Sequence, residues 1–142
     1  MIAKRFLMLL IGVSFIIQSL FTSAWAEEAQ LPLKADKAHR DAAGILSLDQ
    51  DSIPVKAEGL RPDSVYTVWF VSMGLVKREA GAGEAPYMFK TNSEGEGTYS
   101  SSLDESPFGE WDMVMIVLHP DDDPTNMKNM VGALSADLPK ES

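Results

Sequence analysis

Short apolar segments separated by clusters of glycine, proline, aspartate, asparagine and serine are the feature that most limits how this chain can fold. From residue 42 onward no apolar segment keeps a helical period over a useful length, and this pattern is typical of an all-β domain. Seven short antiparallel strands within about 100 residues predict a single immunoglobulin-like β-sandwich. The seven segments are residues 44–48, 52–58, 65–72, 87–91, 98–103, 111–118 and 131–138.

The third segment, residues 65–72, carries the sequence V-Y-T-V-W-F-V-S and is apolar on both of its faces. A strand of this kind belongs in the middle of a sheet, where both sides are covered. The glycines within residues 92–97 predict a hairpin between the fourth and fifth segments, because they accept positive φ angles. Residues 74–86 are expected to form a loop or a crossover between sheets.

Residues 1–26 have the order of an export signal. Lys4 and Arg5 precede a mostly apolar run, and Ala24-Trp25-Ala26 ends it with small residues at the positions that a signal peptidase reads. The alternative is an uncleaved membrane anchor, since about 20 apolar residues can span a bilayer. Cleavage would leave a flexible polar leader at residues 27–41, a domain at residues 42–139, and a periplasmic or secreted protein without stable membrane insertion.

The charge and the absence of cysteine exclude several classes of function. The chain has a net charge of −9, and without residues 1–26 it keeps 10 basic and 21 acidic residues. Such a surface repels nucleic acid phosphates and anionic lipid headgroups, so no nucleic acid partner is expected. Because the chain has no cysteine, disulfides, thiol catalysis, thiolate zinc sites and cysteine-ligated blue copper are also excluded.

The sixth segment and the loop after it carry the strongest chemical candidates. Strand alternation places Trp111, Met113, Met115, Val117 and His119 on one face. If Met127 and Met130 fold back from the loop, thioether and imidazole groups suited to Cu(I) come together. The alternative is that the methionines pack as adaptable core residues and that the histidine ends the strand. His39 lies in the predicted leader and adds no ligand.

The aspartate loop after this strand offers a second metal, calcium. Asp121, Asp122 and Asp123, with Asn126, could supply oxygen ligands, with Asp121 and Asp123 as the principal candidates. The loop lacks the glycine and the distant glutamate of an EF-hand, and a solvated turn is the alternative. No nucleophile elbow, metalloprotease helix or phosphate loop is present, so the protein is not expected to be an enzyme.

A series of motifs resembles a known family. The motifs are G-x-L-x-L at residues 44–48, G-L-x-P at 59–62, V-Y-T-V-W-F-V at 65–71, a G-x-G hairpin at 95–97, M-V-M-I-V-L-H-P at 113–120 and V-G-A-L at 131–134. Together they resemble the extracytoplasmic domain of anti-sigma-K factors. The resemblance implies a small β-sandwich outside a membrane that acts in sensing or interaction. Only residues 1–5 precede the apolar run, so sigma-factor binding is not implied, nor is any catalytic or ligand residue.

These observations predict an exported, non-enzymatic binding or interaction module whose partner outside the cytoplasm is a protein or a small ligand. The alternative is a periplasmic metal-binding protein that uses copper through the His/Met set or calcium through the aspartate loop. No other cofactor is expected.

Overall fold

The computed structural model describes residues 29–140 and shows an all-β, antiparallel fold in which the sheet is curled. Nine strands are present in this part of the chain, so the predicted count of seven was wrong. The strands are β1 (Ala29–Ala35), β2 (Ala43–Leu48), β3 (Ser52–Glu58), β4 (Val65–Ser72), β5 (Arg78–Gly81), β6 (Met88–Lys90), β7 (Gly97–Ser102), β8 (Met113–His119) and β9 (Val131–Asp137).

The strands lie in the order β5-β4-β8-β9-β1-β2-β3-β7, with β6 paired to β4 beside β5. β4 therefore has β8 along one edge and β5 and β6 along the other, as its apolar sequence predicts. The curl turns one face of the sheet inward, and alternate residues of β4 and β8 fill this core. The fully buried side chains at its centre include Leu46, Ile53, Tyr66, Val68 and Ile116.

β1 and β5 are the two strands that the sequence pattern did not reveal. β1 and the 3₁₀ turn after it lie within residues 27–41, where the sequence pattern predicts a flexible leader. The first part of β1 pairs with β2 and its last two residues, Lys34 and Ala35, pair with β9. β1 thus joins the two halves of the curled sheet. A 3₁₀ turn (Lys37–His39) follows it.

The sequence pattern does not reveal β1 because only a short alternation marks this strand. Leu31 and Leu33 alternate with polar residues and with Pro32, which has no N–H to donate. Leu33 is buried and packs closely over Gly44, its partner on β2, where no side chain stands in the way. The strand is therefore fixed by long-range pairing and by one buried leucine rather than by local propensity.

The predicted signal peptide and its alternative, the membrane anchor, fall on residues 1–26, which lie outside the described residues. Among residues 29–140, no helix has the length and apolar character that crossing a membrane requires.

Candidate functional site

Two neighbouring residues near the start of β4 face opposite sides of the sheet, and each is hydrogen-bonded to a histidine. Tyr66 points into the core, whereas Thr67 is buried on the outer face. His39 contacts Tyr66 and His119 contacts Thr67. Each histidine bonds a β4 hydroxyl through Nε2 and a backbone carbonyl through Nδ1, so β4 is tied to a loop on each of its two sides.

His119 ends β8 opposite Val65 and is only 1% exposed. Its Nδ1 lies 3.1 Å from the carbonyl oxygen of Asn126, which can only accept, so Nδ1 carries the proton. Nε2 then accepts from the Thr67 hydroxyl at 2.7 Å, and that hydroxyl oxygen accepts from Trp69 Nε1–H, also at 2.7 Å. The result is a continuous hydrogen-bond chain from the indole through Thr67 and the imidazole to the loop backbone.

His39 has the corresponding arrangement on the inner side. Its Nδ1 donates to the carbonyl oxygen of Gly132 at 3.2 Å, and its Nε2 accepts from the Tyr66 hydroxyl at 3.0 Å. The backbone N–H of Arg61 donates to the same hydroxyl oxygen at 2.9 Å. Burial raises the pKa of Tyr66, while the bond from Arg61 acts in the opposite direction. His39, expected to lie in a flexible leader, instead anchors the chain after β1.

The predicted copper ligands include His119, whose ring is hydrogen-bonded on both sides. Both nitrogens of this histidine are engaged within the protein, and the loop folds back over the ring through the carbonyl of Asn126. Met127 is 44% exposed and Met130 is half-buried on that loop. Met113 and Met115 share the outer face with His119, as the alternation predicts, and both are half-buried. A copper ion on His119 would have to displace one of its two hydrogen bonds.

The aspartates of the loop accept hydrogen bonds from the loop itself. Asp121 accepts from Asn126 Nδ2 at 2.5 Å and from the Asp123 N–H at 3.1 Å. Asp123 accepts from the N–H and the hydroxyl of Thr125, at 2.9 and 2.6 Å. The Asn126 amide lowers the pKa of Asp121, and the Thr125 hydroxyl lowers the pKa of Asp123. Within residues 29–140 no three His, Asp or Glu side chains converge as a metal site.

The tip of the β4–β5 hairpin is a feature that the sequence pattern did not identify. Leu75 is fully exposed, Val76 is 74% exposed and Met73 is 61% exposed. They follow one another in the hairpin tip, residues 73–76, where a side chain added at Gly74 would meet open space. The signal in the sequence is the apolar pair Leu75-Val76, which lies within residues 74–86, the predicted loop or crossover.

The base of this hairpin is held firmly. Asp112 accepts a hydrogen bond from the backbone N–H of Met73 at 2.5 Å, and its own N–H donates to the carbonyl of Val71 at 2.9 Å. Arg78 forms an ion pair with Glu110 at 2.9 Å, and its guanidinium lies 5.1 Å from the centre of the Trp111 ring. The exposed tip therefore projects from a base that is fixed on both sides.

A shallow depression of about 690 Å³ crosses the outer face of β2, β3 and β7. Small residues form much of its floor, and charges of both signs surround it: Lys56, Lys90, Glu58 and Glu96. The neighbouring Glu94 raises the pKa of Glu96 through a shared hydrogen bond and charge repulsion. The depression is open and no side chain in it is both charged and buried, so it lacks the convergent polar groups of a specific small-molecule site.

Comparison of the chain with protein-family models, curated proteins and solved structures finds no match. A function for this chain therefore has to be argued from its own residues. The two features that carry such an argument are the exposed hairpin tip and the outer face of β4 and β8.

Proposed function

We propose that this chain is an exported, non-enzymatic interaction module, built as an immunoglobulin-like sandwich, that binds another protein through the β4–β5 hairpin tip. The exposure of Met73, Leu75 and Val76 is the observation that carries the proposal. Exposed apolar clusters on soluble domains mark interaction sites, because burial against a partner removes apolar surface from water. Burying a leucine or valine side chain contributes about 1.5–3 kcal/mol.

The fixed base of the hairpin favours tight binding. Flanking residues that are already ordered lose little conformational entropy when a partner covers the tip. Asp112 and the Arg78–Glu110 pair provide this support, as described above. The charged residues beside the tip would form a polar rim around an apolar centre, which is the usual layout of a protein interface. The partner we expect has an apolar cleft that accepts Leu75 and Val76.

The sequence of residues 1–26 supports a location outside the cytoplasm, either periplasmic or secreted, and the resemblance to anti-sigma-K factors supports an interaction role there. Export is tested by the intact mass of the protein recovered from the periplasm or medium. We expect a mass that lacks residues 1–26, with Glu27 as the first residue. A full-length mass in the membrane fraction would favour the retained anchor instead.

The hairpin is tested by substituting its apolar side chains. In affinity capture from extracytoplasmic extract, we expect a partner bound by the wild type to be lost from the Leu75→Ser/Val76→Ser variant. The affinity should fall by roughly 100-fold, because about 3 kcal/mol of apolar burial is removed. These side chains make no core contact, so thermal unfolding should be unchanged.

The matched control is Ile45→Ser, which removes an apolar side chain that is 55% exposed on β2, in the other half of the sheet. This variant should capture the same partner as the wild type. Equal capture by the hairpin variant would overturn the assignment of the tip, and loss of capture by Ile45→Ser alone would place the interface on β2.

A further inference from the structure

Three methionines and a tryptophan lie together on the outer face of the sheet, beside the Thr67–His119 hydrogen-bond chain. Met115 is directly opposite Trp69, Met113 is opposite Val71, and Met88 of β6 is opposite Thr67. All four residues are half-buried. We call Trp69, Met88, Met113 and Met115 the methionine face. It is distinct from the hairpin tip, and its role does not depend on the function proposed above.

The spacing of the sheet brings Met113, Met115 and Trp69 within reach of one ion. Residues directly opposite on antiparallel strands have Cβ atoms about 4.5–5.5 Å apart. Met113 and Met115 stand on the same side of one strand, about 7 Å apart along it. A methionine side chain has three rotatable bonds, so the two sulfur atoms can converge above β8 without moving the backbone.

The tryptophan ring in this face is fixed. Trp69 Nε1 donates to the Thr67 hydroxyl oxygen at 2.7 Å, and the hydroxyl is itself bonded to His119. On the other side, the Tyr87 ring lies over Gly81 and its centre is 5.5 Å from that of Trp69. The indole is therefore held beside Met115 by its Nε1 hydrogen bond and by the Tyr87 ring.

We propose that the methionine face binds a soft monovalent cation, Cu(I), through the sulfur atoms of Met113 and Met115. Met88 lies two strands from Met115, across Thr67, and is not a ligand, and the Trp69 ring lies beside the ion. Neutral thioethers select Cu(I) over hard divalent ions, and an aromatic face attracts a cation. His119 is not a ligand here, because both of its nitrogens are bonded. It holds Thr67, and through it Trp69.

The experiment uses the protein labelled with ¹³C at the methionine methyl groups and titrated with Ag(I), which has the same ligand preference and does not change oxidation state under these conditions. We expect the methyl signals of Met113 and Met115 to shift. Those of Met73 and Met127 should stay in place. Cu(I), supplied without oxygen against a competing chelator, should bind with the same dependence, and Ca²⁺ should not bind.

Variants make the assignment specific. Met113→Leu/Met115→Leu keeps the apolar volume and should weaken Cu(I) binding by about 100-fold or more, while leaving the fold intact. The matched control, Met73→Leu/Met127→Leu, removes two exposed methionines and should leave the affinity unchanged. Absence of Ag(I) and Cu(I) binding at micromolar concentration would overturn the proposal. Equal binding by the Met113/Met115 variant, or dependence on Met127, would overturn it too.

Discussion

Replacing Thr67 with valine is expected to lower the free energy of unfolding by about 2–4 kcal/mol, although the two side chains have nearly the same shape. The valine methyl groups cannot donate to His119 Nε2 or accept from Trp69 Nε1. A buried polar group left without a partner costs about 1–3 kcal/mol, and His119 is fully enclosed, so water cannot replace the lost bond.

Urea unfolding followed by circular dichroism measures this loss, and Thr67→Ser is the matched control. Serine keeps the hydroxyl and gives up only a methyl group, so its cost should be near 1 kcal/mol. In the valine variant, the indole N–H proton resonance of Trp69 should also move, because its acceptor is gone. Equal stability of the valine and serine variants would show that the hydrogen-bond chain contributes little.

Leu33→Asp is expected to destabilise the protein by about 3 kcal/mol or more, which is a large part of the 5–15 kcal/mol that holds a typical domain together. Leu33 is the buried residue of β1, and its side chain lies in the core close against Gly44. A carboxylate there would be desolvated with no positive partner supplied by the fold. Withdrawing it to solvent would detach β1 from both β2 and β9.

Gln30→Asp is the control for this variant, since it adds the same charge to an exposed position of the same strand. Its thermal unfolding midpoint should stay close to that of the wild type, whereas that of Leu33→Asp should fall steeply. If both variants unfold like the wild type, β1 does not contribute to the stable sheet. That result would favour a flexible leader at residues 27–41.

The sequence predicted those strands that have a clear apolar pattern, and it missed those formed by pairing. β4 was expected at the centre of a sheet because all its odd and even positions are apolar or small, and the face shared by Met113 and His119 followed from alternation. β5, R-E-A-G, has no apolar alternation and exists only as the backbone partner of β4. A local pattern cannot report such a strand.

The candidate sites were predicted less well than the fold, for a related reason. Alternation predicts that Met115 and His119 share one face. It could not show that the hydroxyl of Thr67, 52 residues away, is hydrogen-bonded to the His119 imidazole. His39 looked unimportant because its partners, Tyr66 and Gly132, are distant in sequence. The imidazole of His119 suggested a metal ligand. In the structure, both histidines instead form long-range hydrogen bonds that hold strands and loops together.

The position of β1 between the two halves of the sheet also bears on when the protein can fold. Its last residues pair with β9, so that Lys34 lies opposite Ser135 near the far end of the chain. Among the described strands, the first therefore cannot complete its pairing until the last is present, and folds dominated by such distant pairs form slowly. Until β9 is present, β1 can pair only with β2, and the two halves of the sheet cannot be joined through β1.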